Sequence, residues 1–382
     1  MSLLAADLAA PVAETSYVAA PGVVRVEVDG RPLLFGEAGQ QLVELNPTAD
    51  LIWRGVASGE PPSQVVETLV ALGVAPTDAD AFVKSCLQAW LAGGQLIPTA
   101  ALDALAQAPV AVRHVALDEL SVTLSFHGSV DVAAVDAVFG HLCAGRPGDG
   151  VRLAVVGIGA LYVLFVGGRS LPPVGPDGLA PAIKATLTDH YVQAVSGAFL
   201  AHGALLVRDG RSVFLSGDPG AGKTTLTLAL SAAGFQYGGD DIVRIEPDGR
   251  VLAAPFAAAV KSGAWPLVEA FAPAVAGLPT WLRADSQRVR YYLPPNRAER
   301  SPRTLDAVLL LDRQAGAAAA LQPLHAVDAL TAILASAYSA RGALDAAALQ
   351  GLAGSVARAR PHRLVYSDLD AAVALIAGLL DD

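Results

Sequence analysis

The sequence predicts two domains of different class. One is a small α+β module of winged-helix shape near the N-terminus. The other, from about residue 199, is an α/β domain with a largely buried sheet around a phosphate-binding loop. Three observations predict them. A hairpin, a further strand and three helical patterns follow one another between Gly22 and Pro98. A G-x-x-x-x-G-K-[ST] segment lies between an apolar strand pattern and a helical one at residues 217–224. Apolar residues make up 53% of the chain and charged ones 16%, enough for a sizeable core in a chain of 382 residues.

In the first zone, residues 22–98, "VVRVEV" and "RPLLF" are two strand-like runs separated by Asp-Gly, a hairpin signal. "GQQLVELN" reads as a third strand. Asn46 is then placed to cap a helix that has Pro47 in its first turn. "PSQVVETLVAL" and "TDADAFVKSCLQAWLAGG" are two more amphipathic helices, the latter with Phe82, Cys86 and Trp90 at successive steps of four. The alanine-rich run at 99–111 reads as a linker. Residues 112–198 hold the strand patterns "LSVTLSFHG", "VRLAVV" and "LYVLFVGG" and one helix, "GLAPAIKATLTDHYVQAV". They are expected to form a small α/β region of the C-terminal half. Residues 199–382 alternate strands and helices, the pattern of an α/β domain.

Bulk properties exclude several classes. The net charge of −10 disfavours nucleic-acid binding, which needs a basic surface. The helix "TDADAFVKSCLQAW" carries a single lysine, which is a poor recognition helix despite the winged shape. No run of about 18 uncharged apolar residues occurs, so no membrane partner is expected. The opening "MSLLAADLAAPVAETS" has no basic leader and carries two early acids, Asp7 and Glu14, so no signal peptide is expected there. Cys86 and Cys143 are too few to make a metal site alone and read as reduced thiols of a cytoplasmic protein.

The chemistry is concentrated at Gly217-Asp218-Pro219-Gly220-Ala221-Gly222-Lys223-Thr224-Thr225. Glycines let backbone N–H groups turn inward around phosphates, and the helix N-terminus adds its positive end. Lys223 reaches the outer phosphates of a bound nucleotide, and the Thr224 hydroxyl is placed to ligate Mg²⁺. The chain has only four lysines, so one falling at the required position by chance is improbable. Shortly after the loop helix, Asp240 and Asp241 follow a short strand. One carboxylate there can hold Mg²⁺ and the other can take the proton of an attacking hydroxyl.

The stretch "FLAHGALLVRDGRSVFLSGDPGAGKTTLTLALSAAGFQYGGDDIVRIE" resembles the HPr kinase/phosphorylase superfamily, in particular its HPr-kinase-related branch. The resemblance covers roughly residues 195–380. It implies an HPr-kinase-like P-loop fold, with Asp240 as general base, Thr224 and Asp241 as Mg²⁺ ligands, and His202 near the transferred phosphate or the base. True HPr kinases carry a glycine-rich signature with a glutamate downstream; here that region reads "APFAAAVKSGAW", with Lys261. Lys261 either touches a nucleotide or acceptor phosphate or is a surface lysine. Arg288, Arg290 and Arg363, in segments that also look like this branch, could serve phosphate or an acidic peptide but read better as solvated faces.

The first zone, from "RPLLFGEAGQQLVELN" to "LAGGQLI", looks like a PqqD-type domain, also called a RiPP recognition element. Such domains bind the leader of a ribosomally made precursor peptide as an added β-strand. An exposed strand edge supplies unpaired backbone groups, and a neighbouring helix supplies apolar pockets. The candidate peptide contacts are Gln41, Leu42, Val43, Leu45, Phe82, Cys86 and Trp90; the last three also suit the module's own core. Together these resemblances imply an ATP- and Mg²⁺-dependent kinase that phosphorylates a Ser/Thr hydroxyl of a leader-bound precursor. A nucleotide-binding peptide chaperone without phosphotransfer and a kinase of a folded HPr-like protein are the alternatives. Further peptide-modifying enzymes and a second copy of the chain are compatible partners.

Overall fold

The computed structural model describes residues 15–37, 39–144, 146–195, 198–337 and 346–381. Most of the opening stretch read for a signal peptide lies outside the described residues. The chain forms a mixed α/β structure in two compact units. One holds Met1–Leu187 with Trp281–Ser286, the other Thr188–Thr280 with Gln287–Asp382.

The first unit begins with β1 (Tyr17–Ala19), β2 (Val23–Val28), β3 (Arg31–Gly36) and β4 (Gln41–Glu44). Asp29 and Gly30 take φ of 52° and 76°, the left-handed pair that a two-residue hairpin turn needs between β2 and β3. β4 then pairs with β3, so that β2 and β4 are the outer strands of a three-stranded sheet. Asn46 caps α1 (Pro47–Ala57), its side chain accepting from the Ala49 N–H at 2.8 Å. Two more helices follow, α2 (Pro62–Ala71) and α3 (Pro76–Ala92). Leu34, Ile52, Val56, Leu69, Val83 and Leu87 close one core between sheet and helices. At its centre Trp53 and Trp90 meet edge to face, ring centroids 5.2 Å apart.

Asp50 ties this sheet to α1. It is 7% exposed and accepts from Arg25 Nη2 at 3.0 Å and from Arg54. The hydrogen bond from Arg25, assisted by Arg54 and opposed by burial, holds its carboxyl below the usual range. A depressed native pKa contributes stability above the unfolded-state pKa and loses it as pH falls through the native value. Asp50→Asn is therefore expected to lower Tm at neutral pH. Thermal melts from pH 7 downward should show that difference shrinking as the wild-type carboxyl protonates.

The run read as a linker is ordered. β5 (Leu96–Pro98) pairs with β1, and Thr99–Leu105 forms helix α4. Ile97 and Ala101 are fully buried with Ala20, Val156, Val163 and Phe165. That small apolar cluster joins the segment to a five-stranded sheet of order β10-β9-β8-β7-β6. Its strands are β6 (Ala111–Leu117), β7 (Leu120–Gly128), β8 (Val151–Ile158), β9 (Leu161–Val166) and β10 (Arg169–Ser170). β7 and β8 run parallel, with α5 (Val132–Phe139) between them in the chain. Residues 112–187 thus group with the N-terminal module rather than with the loop-bearing unit, the boundary falling within α6 (Leu179–Ala194).

The second unit opens with β11 (Phe199–His202), β12 (Ala204–Arg208), β13 (Arg211–Ser216) and α7 (Lys223–Ala232). β14 (Gln236–Gly239), β15 (Ile242–Ile245), β16 (Val251–Ala253), β17 (Ala258–Lys261) and α8 (Trp265–Glu269) follow. After β18 (Trp281–Leu282), which groups with the first unit, come β19 (Arg288–Tyr292), β20 (Ala307–Arg313) and β21 (Ala320–Pro323). The chain closes with α9 (Ala326–Ala335), α10 (Ala346–Arg358), β22 (His362–Tyr366) and α11 (Leu369–Asp381). The main sheet has the order β14-β12-β13-β20-β22-β21. β13, β20 and β22 are parallel, and the flanking pairings are antiparallel. Alternation along each strand buries both faces. Val213 and Leu215 pack with Leu226 and Leu230 of α7 and Ile376 and Leu380 of α11. Phe214 and Val308 pack on the opposite face with Ile333 of α9 and Leu352 and Val356 of α10. Among the described residues no helix is long and apolar enough to cross a membrane.

Candidate active site

Residues Gly217 to Gly222 turn at the carboxyl end of β13, and Lys223, Thr224 and Thr225 open α7. Gly220 and Gly222 have φ of 91° and 89°, a region that L side chains rarely occupy. A Cβ on Gly222 would also stand 2.8 Å from the Tyr366 hydroxyl, which donates to the Ala221 carbonyl at 2.9 Å. The end of β22 thus braces the loop from a position 145 residues further along the chain.

Lys223 is 8% exposed, and its Nζ donates to the carbonyls of Gly217 at 2.7 Å and Asp218 at 3.3 Å. Burial lowers its pKa; Asp240, Asp241 and Asp218 pull the other way, and Lys261 adds to the lowering. Lys261, at the exposed end of β17, therefore shares the electrostatic neighbourhood of the loop lysine.

The two carboxylates sit at the turn between β14 and β15. Asp240 is 6% exposed and accepts from the Thr224 hydroxyl at 2.7 Å. Asp241 takes φ of 90°, a strained value for a residue with a side chain. Its carboxylate lies 3.2 Å from His202 Nδ1, with side chains 29% and 35% exposed respectively. β11 brings His202 here by pairing with β15 in the register His202 to Ile242. Gly203 must be glycine: a Cβ there would stand 2.4 Å from the Phe214 ring and 2.6 Å from the Leu215 carbonyl. The two carboxylates thus have different partners. Asp240, not Asp241, bonds Thr224, while Asp241 pairs with His202.

Among the described residues no group of three or more His, Cys, Asp and Glu could hold a metal ion. That does not count against Mg²⁺ beside a phosphate loop, where one or two protein oxygens suffice and phosphates and water complete the octahedron. The adjacent oxygens of Thr224 and Asp240 fit this donor set. Of the arginines read as solvated, Arg290 instead pairs with Glu269 at 2.6 Å and lies 4.0 Å over the Trp265 ring. Sequence reasoning did not single out Tyr366 or Arg313, whose Cδ lies 3.9 Å from where a Gly222 Cβ would be.

In the N-terminal module the candidate peptide contacts divide. β4, with Gln41, Leu42 and Val43, is an outer strand. Leu42 is 63% exposed and Phe82 of α3 48% exposed, whereas Cys86 is half-buried against the core. Leu45 and Trp90 are 5% and 4% exposed and are core residues, which corrects their assignment as peptide contacts. Gln41 accepts from Gln95 at 3.4 Å.

The sequence matches no protein-family model and no curated protein. Among solved structures it is similar to a lasso peptide synthetase B1 complexed with the leader peptide, at 23% identity. That match covers 22% of this chain and 99% of the other, with a TM-score of 0.21. A second neighbour is TbiB1 in complex with the TbiA(beta) leader peptide, at 19% identity over 21% of this chain and 93% of that one, TM-score 0.20. A third is the Hpr(Ser) kinase/phosphatase from Coxiella burnetii, at 12% identity over 48% of this chain and 93% of that one, TM-score 0.22.

Proposed function

We propose that this chain is a leader-guided peptide kinase. Residues 22–98 capture a ribosomally made precursor peptide, and residues 199–382 transfer the γ-phosphoryl group of ATP to a serine or threonine hydroxyl on it, in the cytoplasm. The observation that carries this reading is the pair of contacts beside the phosphate loop, Thr224 to Asp240 and His202 to Asp241. Phosphoryl transfer needs positioned phosphates, charge neutralisation and a group to take the acceptor proton. Asp240, buried against Thr224, suits the Mg²⁺ side; when bound, the ion neutralises charge on the phosphates. Asp241, more exposed and oriented by His202, is reachable by an incoming hydroxyl and suits the base. These roles exchange those implied by the family resemblance. The acceptor oxygen bonds the γ-phosphorus as its bond to the β–γ bridging oxygen breaks. Asp241 takes the hydroxyl proton, and ADP leaves. Lys223 holds the outer phosphates, and Lys261 is placed to meet charge on the nucleotide or acceptor.

Peptide capture is supported by the outer strand β4, whose edge can accept an added strand, by the exposed Leu42 on that strand and by the exposed Phe82 on α3. Tethering raises the local acceptor concentration to about millimolar for a short flexible link. The test is intact-mass spectrometry of the precursor peptide encoded beside the gene, co-expressed with the full-length protein. One added phosphate is expected with wild type and none with Asp241→Asn. Leu42→Asp combined with Phe82→Asp should reduce modification about tenfold or more, as expected when central apolar anchors are lost. A peptide that co-purifies unmodified with wild type would replace transfer by a nucleotide-responsive chaperone role.

A further inference from the structure

Beside the loop, on the side away from the two aspartates, the sheet offers a second binding feature. β14, which leads into Asp240 and Asp241, lies on one side of β13 in the strand order; β20 and β22 lie on the other. β13, β20 and β22 are parallel, so their carboxyl ends share one edge, the place where open α/β sheets bind ligands. A cavity of about 650 Å³ opens there, lined by Gly220 and Ala221 of the loop and by Asp312, Arg313 and Ser367 at the ends of β20 and β22. Because Gly220 and Ala221 belong to both, the cavity and the loop adjoin.

The chemistry of the lining differs from that of the loop. Asp312 accepts from Gln314 Nε2 at 2.9 Å and stands 3.8 Å from Arg363 Nη1. Its carboxylate is thereby fixed in place with acceptor capacity left over. A carboxylate repels phosphate but accepts well from neutral hydroxyls. Arg313 offers a planar, delocalised cation of the kind that stacks on aromatic rings. We propose that this cavity receives the nucleoside half of the nucleotide, with Arg313 covering the base and Asp312 and Ser367 bonding the ribose hydroxyls. The proposal rests on the reading of residues 217–224 as a phosphate loop.

Isothermal titration of the full-length protein tests it with three magnesium-loaded probes: ADP, 2′,3′-dideoxy-ADP and inorganic tripolyphosphate. Arg313→Lys keeps the charge and removes the flat face, so ADP affinity should fall about tenfold while tripolyphosphate affinity stays constant. In the wild type ADP should bind better than its dideoxy analogue, and Asp312→Asn should shrink that preference. Equal weakening of ADP and tripolyphosphate in Arg313→Lys would assign Arg313 to the phosphates and overturn the proposal. Unchanged ADP binding in both variants would overturn it as well. A wild type that binds ADP no better than tripolyphosphate leaves the loop reading standing and removes the nucleoside site. A wild type that binds none of the three removes both. Unchanged melting temperatures of the variants exclude misfolding as the cause of any loss.

Discussion

Lys223→Met is expected to abolish phosphoryl transfer, lowering the single-turnover rate by about 10³-fold or more, as loss of a charge aimed at a transition state does. The effect should be this large because Lys223 is buried beside Asp240 and Asp241, whose charges favour its ammonium form. Without it the two carboxylates face the nucleotide phosphates with one cation fewer. Binding of MgATP, followed by titration calorimetry, should fall along with the rate. The fold should survive, since among the described residues the lysine's hydrogen bonds go to the carbonyls of Gly217 and Asp218 in its own loop. The downward shift of its pKa also has a sign. The ammonium is lost on the alkaline side at a lower pH than for an ordinary lysine, so nucleotide affinity should begin to fall there. Transfer at the wild-type rate by Lys223→Met would remove the loop from the chemistry.

The second large effect separates the two aspartates. Asp241→Asn is expected to lower kcat by about 10²- to 10⁴-fold, the range for loss of a positioned general base. The magnesium concentration needed for half-maximal activity should stay where it was. Asp240→Asn should act chiefly on that magnesium requirement, moving it upward, because the carboxylate beside the Thr224 hydroxyl is the one altered. Asparagine is the informative replacement at both positions, being of equal size and able to keep one hydrogen bond. Magnesium titrations of the two variants against wild type decide the matter. If Asp241→Asn shifts the magnesium requirement and Asp240→Asn does not, the roles implied by the family resemblance hold and the geometric assignment falls.

The features that were readable in the chain are those set by residues close together in it. The Asp-Gly hairpin turn, the Asn46 cap and the strand–loop–helix around Lys223 all follow from neighbours within a few positions. The helix Pro76–Ala92 shows where such reading stops. Phe82, Cys86 and Trp90 are spaced by four, and each such step advances about 40° around an α-helix. Over two steps the direction swings from the exposed flank, where Phe82 lies, through the half-buried Cys86 to the core, where Trp90 meets Trp53. A regular spacing thus concealed a change of environment. The alanine run after Pro98 carries few large side chains and reads as a spacer, yet Ala101 is small enough to pack against Val156 and Val163 as a helix. The brace from Tyr366 to Ala221 spans 145 positions, and strand order alone brings its ends together. No local pattern carries that information.

The left-handed backbone at Asp241 also bears on how this chain can change over time. Holding a residue with a side chain at φ of 90° costs roughly 1–3 kcal/mol, and glycine would relieve most of it. Relief of that strain favours glycine at this position, while the pairing with His202 and any demand for the carboxylate oppose the exchange. A lineage that kept the scaffold but had no use for this carboxylate would be expected to tolerate its loss early, the backbone strain being relieved in exchange for the pair with His202.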